Sequence, residues 1–185
     1  MENRCPWPSD DALMIAYHDT EWGVPLHDDR KIFEFMVLDS FQAGLSWKTV
    51  LHKREAFRKA FDNFNPLKIA AYKESTVEEL MQNAGIIRNK QKILATINNA
   101  KCFLEVQKEF GTFDKYIWSF VDGKTIMNGF TDLKQIPARS PESDLMSKDL
   151  KKRGFSFVGS TICYAFMQAA GMVNDHLVGC PCYQQ

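Results

Sequence analysis

Apolar residues in this chain recur at helical spacing, and no stretch alternates apolar with polar positions for more than about four residues. Each periodic run is also punctuated, with a capping side chain before it or a glycine after it. Over residues 30–43, Ile32, Phe33, Met36 and Val37 fall on one side, and Gly44 stops the run. Ser46 caps the next stretch, from Trp47 to Phe61, whose apolar stripe is Trp47, Val50, Leu51, Phe57 and Phe61. Its other face is basic: His52, Lys53, Arg54, Arg58 and Lys59. Asn65-Pro66 and the Ser75–Glu79 segment read as starts of short helices. A longer helix opens near Asn89 or Lys90 and ends at Gly111, and Phe113 to Val121 form another. Residues 122–139 are polar and contain glycine, which predicts a long surface connection. Ser140-Pro141 opens a helix ending at Gly154, and Ser160 caps a last one closed by Gly171. The expected fold is all-α, with residues 1–185 as a single domain.

An apolar fraction of 45% over 185 residues supports a sizeable core. The 23 basic and 23 acidic residues balance, which argues against a broad polyanion-binding surface and leaves room for local basic patches. No apolar run approaches the roughly 18 residues of a membrane span. Met1-Glu2-Asn3-Arg4 lacks the apolar stretch of a leader. An odd count of 5 cysteines fits a reducing compartment better than a disulfide framework. The expected location is cytoplasmic.

Two Cys and two His lie near opposite ends of the chain: Cys5 and His18, then His176 and Cys180. His176 and Cys180 share a face if their segment is helical. Zinc takes such sets in tetrahedral geometry, and four protein ligands leave no open position, so the ion would be structural. Cys182 rivals Cys180 as a ligand, whereas Cys102 and Cys163 sit in apolar helical patterns as buried thiols. A second candidate lies at residues 76–104, which read helix, turn, helix with Ala84 to Arg88 as the turn. Gly85 lets the backbone approach another surface, and Arg88, Lys90 and Lys92 flank a helix N-terminus that favours an anion. An ordinary helical corner with solvated charges has the same pattern.

Several longer segments sharpen this picture: Tyr17-His18-Asp19-Thr20-Glu21-Trp22-Gly23-Val24-Pro25, Gln42-Ala43-Gly44-Leu45-Ser46-Trp47, Gly85-Ile86-Ile87-Arg88, Lys148 to Gly159 continuing into Ile162-Cys163-Tyr164, and Asn174-Asp175-His176 followed by Cys180. Together, and in unbroken order over essentially the whole chain, they resemble the 3-methyladenine DNA glycosylases of type I, within the helix-hairpin-helix glycosylase superfamily. The resemblance implies a two-lobed fold, with residues 31–112 as the hairpin lobe and residues 1–30 plus 113–185 as a lobe held by one structural zinc at Cys5, His18, His176 and Cys180. It implies hydrolysis of the N-glycosidic bond of 3-methyladenine in double-stranded alkylated DNA by a monomer, releasing the free base without lyase activity. Base-binding positions carried over are Tyr17, Trp22, Trp47 and the acidic residue Asp39, which is also the catalytic carboxylate; Gly85, Arg88, Lys90 and Lys92 would hold the DNA backbone.

The residue types suit that chemistry. A damaged base must be flipped out of the duplex to be reached, and electron-rich aromatic faces attract a cationic methylated purine. No residue stands out as the activator of water; Asp114 is the nearest candidate, at an unconvincing spacing. One departure stands out: the family pattern has Glu where this chain has Asp39. It supports an alternative, a zinc-stabilised DNA-binding protein with altered or lost glycosylase activity.

Overall fold

The computed structural model describes residues 4–184. Met1, Glu2, Asn3 and Gln185 lie outside the described residues, and with them most of the N-terminal stretch read above as lacking a leader. Ten α-helices occur among the described residues: α1 (Ala12–Thr20), α2 (Asp29–Gln42), α3 (Trp47–Leu51), α4 (Arg54–Ala60), α5 (Pro66–Ala70), α6 (Glu74–Gln82), α7 (Lys90–Phe110), α8 (Phe113–Trp118), α9 (Pro141–Lys152) and α10 (Ser160–Ala169). The all-helical expectation holds, apart from a two-residue parallel pairing of β1 (Ile126–Met127), in the long connection, with β2 (Val173–Asn174), which follows α10. Among the described residues, no helix is long and apolar enough to cross a membrane.

Helix α2 is the centre. Every residue from Ile32 to Phe41 is buried, so it is apolar nearly all round and packs against α3, α7, α8 and α10. The periodicity that marked Ile32, Phe33, Met36 and Val37 showed only one of its faces. Burial on all sides carries polar residues inward too, and each needs a partner. Ser40 donates to the Met36 carbonyl within its own helix, and Glu34 pairs with Arg54 and Arg58.

That ion pair explains a difference from the expected single helix between Trp47 and Phe61. The helix breaks at His52-Lys53, and Arg54 turns inward, buried, to reach Glu34 and Glu21. Arg54 therefore belongs to the interior and not to a solvated basic face. Likewise, α10 is preceded by Gly159 as N-cap with no side-chain cap, so Ser160 is its first helical residue and not its cap.

The hairpin expected at residues 76–104 is present as α6, a turn and α7. Its charges are deployed differently from the expectation. Lys92 is buried, and its Nζ donates to the Phe41 and Ala43 carbonyls at 2.8 and 2.7 Å. These carbonyls close the C-terminal end of α2, so Lys92 is a helix cap and not a DNA contact. Lys90 is exposed and paired with Glu74, while Arg88 is exposed. Gly85 does not adopt a positive φ; a Cβ there would lie 3.0 Å from Asn83 Oδ1 and 3.1 Å from Ala56 Cβ, so the position needs a glycine for close packing.

Replacing Lys92 with Met removes both hydrogen bonds to buried carbonyls. The expected cost is about 1–3 kcal/mol, which lowers Tm by roughly 2–4 °C per kcal/mol in a chain of this size. Thermal melts of Lys92→Met beside Lys90→Met test this, since Lys90, exposed, should move Tm by less than about 2 °C. Equal shifts would remove the capping role.

Candidate active site and metal centre

A cavity of about 230 Å³ opens where α1, α2, α3 and α10 meet the N-terminal segment. Helix α1 contributes Tyr17, the turn after it Trp22, α2 both Asp39 and Gln42, and the start of α3 Trp47. The four residues expected to bind a base are thus brought together. Tyr17 and Trp47 lie with ring centroids 5.0 Å apart. Five further lining residues were not anticipated: Trp7, Gln42, Ile136, Ala165 and Gln168. Two of them carried a signal. Trp7 stands two residues from Cys5, and Gln42 begins one of the segments that carried the resemblance. Ala165, Gln168 and Ile136 had none.

The cavity is aromatic but not inert. Trp7 Nε1, Trp47 Nε1 and Asp39 Oδ2 are buried without a hydrogen-bond partner in the protein. Buried polar atoms are nearly always satisfied, so two orphan donors and a carboxyl oxygen around one cavity describe the polar outline of a ligand. Burial alone holds the Asp39 carboxyl well above the usual carboxylate range. No cationic side chain lines the cavity to oppose that shift.

Behind Tyr17 and Trp22 lies the second cluster. Cys5, His18, His176 and Cys180 are buried, and their four ligand atoms lie within 4.8 Å of one another. His18 Nε2 and His176 Nδ1 are 3.1 Å apart, and the sulfur-to-nitrogen separations are 3.7 to 3.8 Å. A tetrahedral site with bonds of about 2.0 Å to nitrogen and 2.3 Å to sulfur has edges of about 3.3–3.8 Å. The outer contacts set both tautomers. His18 Nδ1 is 2.7 Å from Asp19, itself held by Arg4, and His176 Nε2 donates to the Trp22 carbonyl at 2.9 Å. Each imidazole therefore turns its free lone pair to the centre. Burial keeps both imidazoles below their ordinary value and pushes the Cys5 thiol up to about 12, an environment in which two thiolates require a cation.

Cys180 belongs to the group of four, whereas Cys182 forms a second group with His18 and Asp19. Cys182 Sγ lies 3.9 Å from Asp19, outside the group of four. The segment from Asp175 to Cys180 is not helical, contrary to the shared-face argument; a turn, with Cys180 N–H on the Leu177 carbonyl at 2.7 Å, brings the two ligands together. Gly23 is obligatory here, with φ +78° and a Cβ that would fall 3.1 Å from the His176 ring.

Asp114, considered above as an activator of water, is paired with His27 at 2.7 Å and does not line the cavity. Arg153 is engaged by Asp149 and Glu109 and lies over Phe110 and Tyr116, so it serves packing, whereas Lys148 and Lys152 are exposed on α9.

An all-helical chain with a flat aromatic cavity around one carboxyl, and with a buried Cys2His2 cluster directly behind it, has the features of a base-binding helical protein. The methyladenine glycosylase family model matches residues 7–183. The chain is 54% identical to DNA-3-methyladenine glycosylase 1 of Escherichia coli (strain K12) over 97% of its length and 96% of that protein's. It is 49% identical to the DNA-3-methyladenine glycosylase of Haemophilus influenzae (strain ATCC 51907 / DSM 11121 / KW20 / Rd), covering 98% of each. A solved structure of 3-methyladenine DNA glycosylase I from Staphylococcus aureus superposes with a TM-score of 0.95 at 34% identity, over 99% of this chain and 97% of that one. The chain belongs to the methyladenine glycosylase family.

The upward shift of Asp39 has a consequence for stability. A carboxyl whose proton is held more tightly in the folded chain favours folding below its unfolded value of about 3.9 and loses that advantage as pH rises toward the folded value. Asp39→Asn cannot ionise. It should melt close to the parent at pH 4 and a few degrees above it at pH 8, where about 1 kcal/mol corresponds to 2–4 °C. A difference in Tm that does not change with pH would exclude a buried neutral Asp39.

Proposed function

We propose that the chain excises 3-methyladenine from alkylated double-stranded DNA as a monofunctional glycosylase, with Asp39, Tyr17, Trp22 and Trp47 around the flipped base. The observation that carries this is the coincidence of aromatic walls with three unpartnered polar atoms in one cavity of base size. The family membership and a relative solved in complex with 3-methyladenine support it.

The substrate base is cationic. Its charge and the Asp39 carboxyl each lower the cost of the other in a buried site, so base entry favours loss of the Asp39 proton. The carboxylate then accepts hydrogen bonds from the base, while the indole N–H groups of Trp7 and Trp47 offer donors to it. The bond from the sugar C1′ to the base breaks with its electron pair passing to the base, which leaves neutral as free 3-methyladenine. Water adds at C1′ and gives up a proton. Normal adenine, uncharged, gains less from the same groups. Asp39 lies buried at the cavity wall, so the shorter acid reaches the site, which favours an active enzyme over a DNA-binding module without glycosylase activity.

DNA would lie across the hairpin, with the backbone near Gly85, Arg88 and Lys90, in a two-lobed arrangement of residues 31–112 against residues 1–30 and 113–185. The enzyme would work as a cytoplasmic monomer. Leu45, 42% exposed in the loop between the cavity residues Gln42 and Trp47, is placed to enter the stack vacated by a flipped base. A zinc ion would be held by Cys5, His18, His176 and Cys180, and with four protein ligands it would supply structure.

Incubation with methylated duplex DNA should release 3-methyladenine, and Asp39→Asn should slow release by about 10- to 150-fold, the value of a hydrogen bond to a charged group. In the same assay Arg88→Ala should raise KM for duplex and leave kcat unchanged. Duplex binding without base release would favour the binding-module alternative.

Protein purified without added metal should carry one zinc per chain by elemental analysis. Cys5→Ala should lose it, at a cost of several kcal/mol of stability. Less than about half an equivalent in the parent, with Cys5→Ala as stable as the parent, would refute the zinc site.

A further inference from the structure

Most of the cavity wall is fixed by helices packed into the core or, at Trp7 and Trp22, by turns packed on the buried histidines, and one part is held by neither. Ile136 reaches the cavity from the long connection between α8 and α9, half-buried against the main core. Its backbone is nonetheless firmly placed. The short 3₁₀ turn Leu133–Gln135 ends at Ile136, whose N–H donates to the Leu133 carbonyl at 3.1 Å. Asp132 and Gln135 close a reciprocal capping box around that turn. Pro137 follows and restricts Ile136 to the extended conformation it shows, φ −67° and ψ 118°. Upstream, the same connection hangs on the metal-ligand segment: Asn128 N–H donates to the Asn174 carbonyl, Asn128 Nδ2 to Asp175, and Val178 N–H to the Phe130 carbonyl.

We propose that Ile136 is a specificity-determining residue that limits the size of the alkylated base the cavity admits. This rests on the glycosylase reading above. A β-branched side chain has little χ1 freedom, so on a rigid turn it acts as a fixed aliphatic edge and not as a yielding flap. Apart from the small Ala165 on α10, the other walls are large aromatics or polar groups whose replacement would disturb the core, the Cys/His cluster or Asp39. Ile136 borders solvent, so its volume changes the opening of the cavity without repacking the interior. Small differences in apolar volume at such an edge discriminate ligands by about 10- to 200-fold per methylene-sized change.

The test compares two free bases, 3-methyladenine and 3-benzyladenine, binding to the full chain by quenching of tryptophan fluorescence, together with release of 3-methyladenine and 3-ethyladenine from alkylated duplex DNA. Ile136→Ala should raise the benzyl-to-methyl affinity ratio by about tenfold or more and raise the ethyl-to-methyl ratio of kcat/KM in the same direction. Ile136→Phe should move both ratios the opposite way, and Ile136→Val should fall between Ala and the parent. A purely structural role would lower Tm in these variants and leave the ratios within twofold of the parent, and that result overturns the inference while leaving the glycosylase reading intact. A parent that neither binds nor releases 3-methyladenine overturns both.

Discussion

The cavity depends on the contact between His18 and His176, two residues 158 positions apart whose ring nitrogens lie 3.1 Å from each other. Each is tied to a cavity wall and faces the other within the buried cluster. His18 follows Tyr17 on α1, and His176 holds the backbone carbonyl of Trp22. Trp7 packs edge-on against both His18 and Trp22, with centroids 5.3 and 5.1 Å apart. Separation of the chain ends would therefore displace three aromatic walls at once. Joining the ends closes a loop of nearly the whole chain, where a cross-link is entropically most effective in principle.

Against this rigid frame stands one energetic conflict. Asp39 is carried on a helix buried on every side, with its Oδ2 unpartnered. The surrounding core satisfies Glu34 and Ser40 on the same helix, so the omission is local to the cavity. An unpartnered carboxyl oxygen beside satisfied polar neighbours on one buried helix is the mark of a site whose stabilisation is reserved for a ligand. The behaviour follows from burial and the missing counter-charge, and it holds for Asp as for the longer acid of the family pattern.

Much of this was legible in the sequence. The helical period and its caps gave element type along most of the chain, and the motif segments located Tyr17, Trp22 and Trp47 before any geometry, with Asp39 carried over by its position ahead of Gln42. What stayed hidden was set by tertiary demand. Lys92 looks like a phosphate ligand beside a helix N-terminus, yet it caps another helix about fifty positions earlier in the chain. Arg54 looks solvated by period, yet two glutamates draw it inside and break its helix. Ile136 carries no local signal, because its place at the cavity is decided by the turn and the segment that hold its loop. Residues recruited across long separations leave no spacing to read.

The cap made by Lys92 has a mechanical meaning. Its ammonium rises from the first turn of α7, next to the hairpin, and grasps the last carbonyls of the helix that bears Asp39. Hairpin and cavity are thus two marks on one ruler, and the hairpin cannot tilt without pulling on the end of α2. A duplex seated on the hairpin would meet the cavity at a fixed offset along its backbone, so that the nucleotide to be tested is chosen by distance from the grip before any chemistry discriminates among bases.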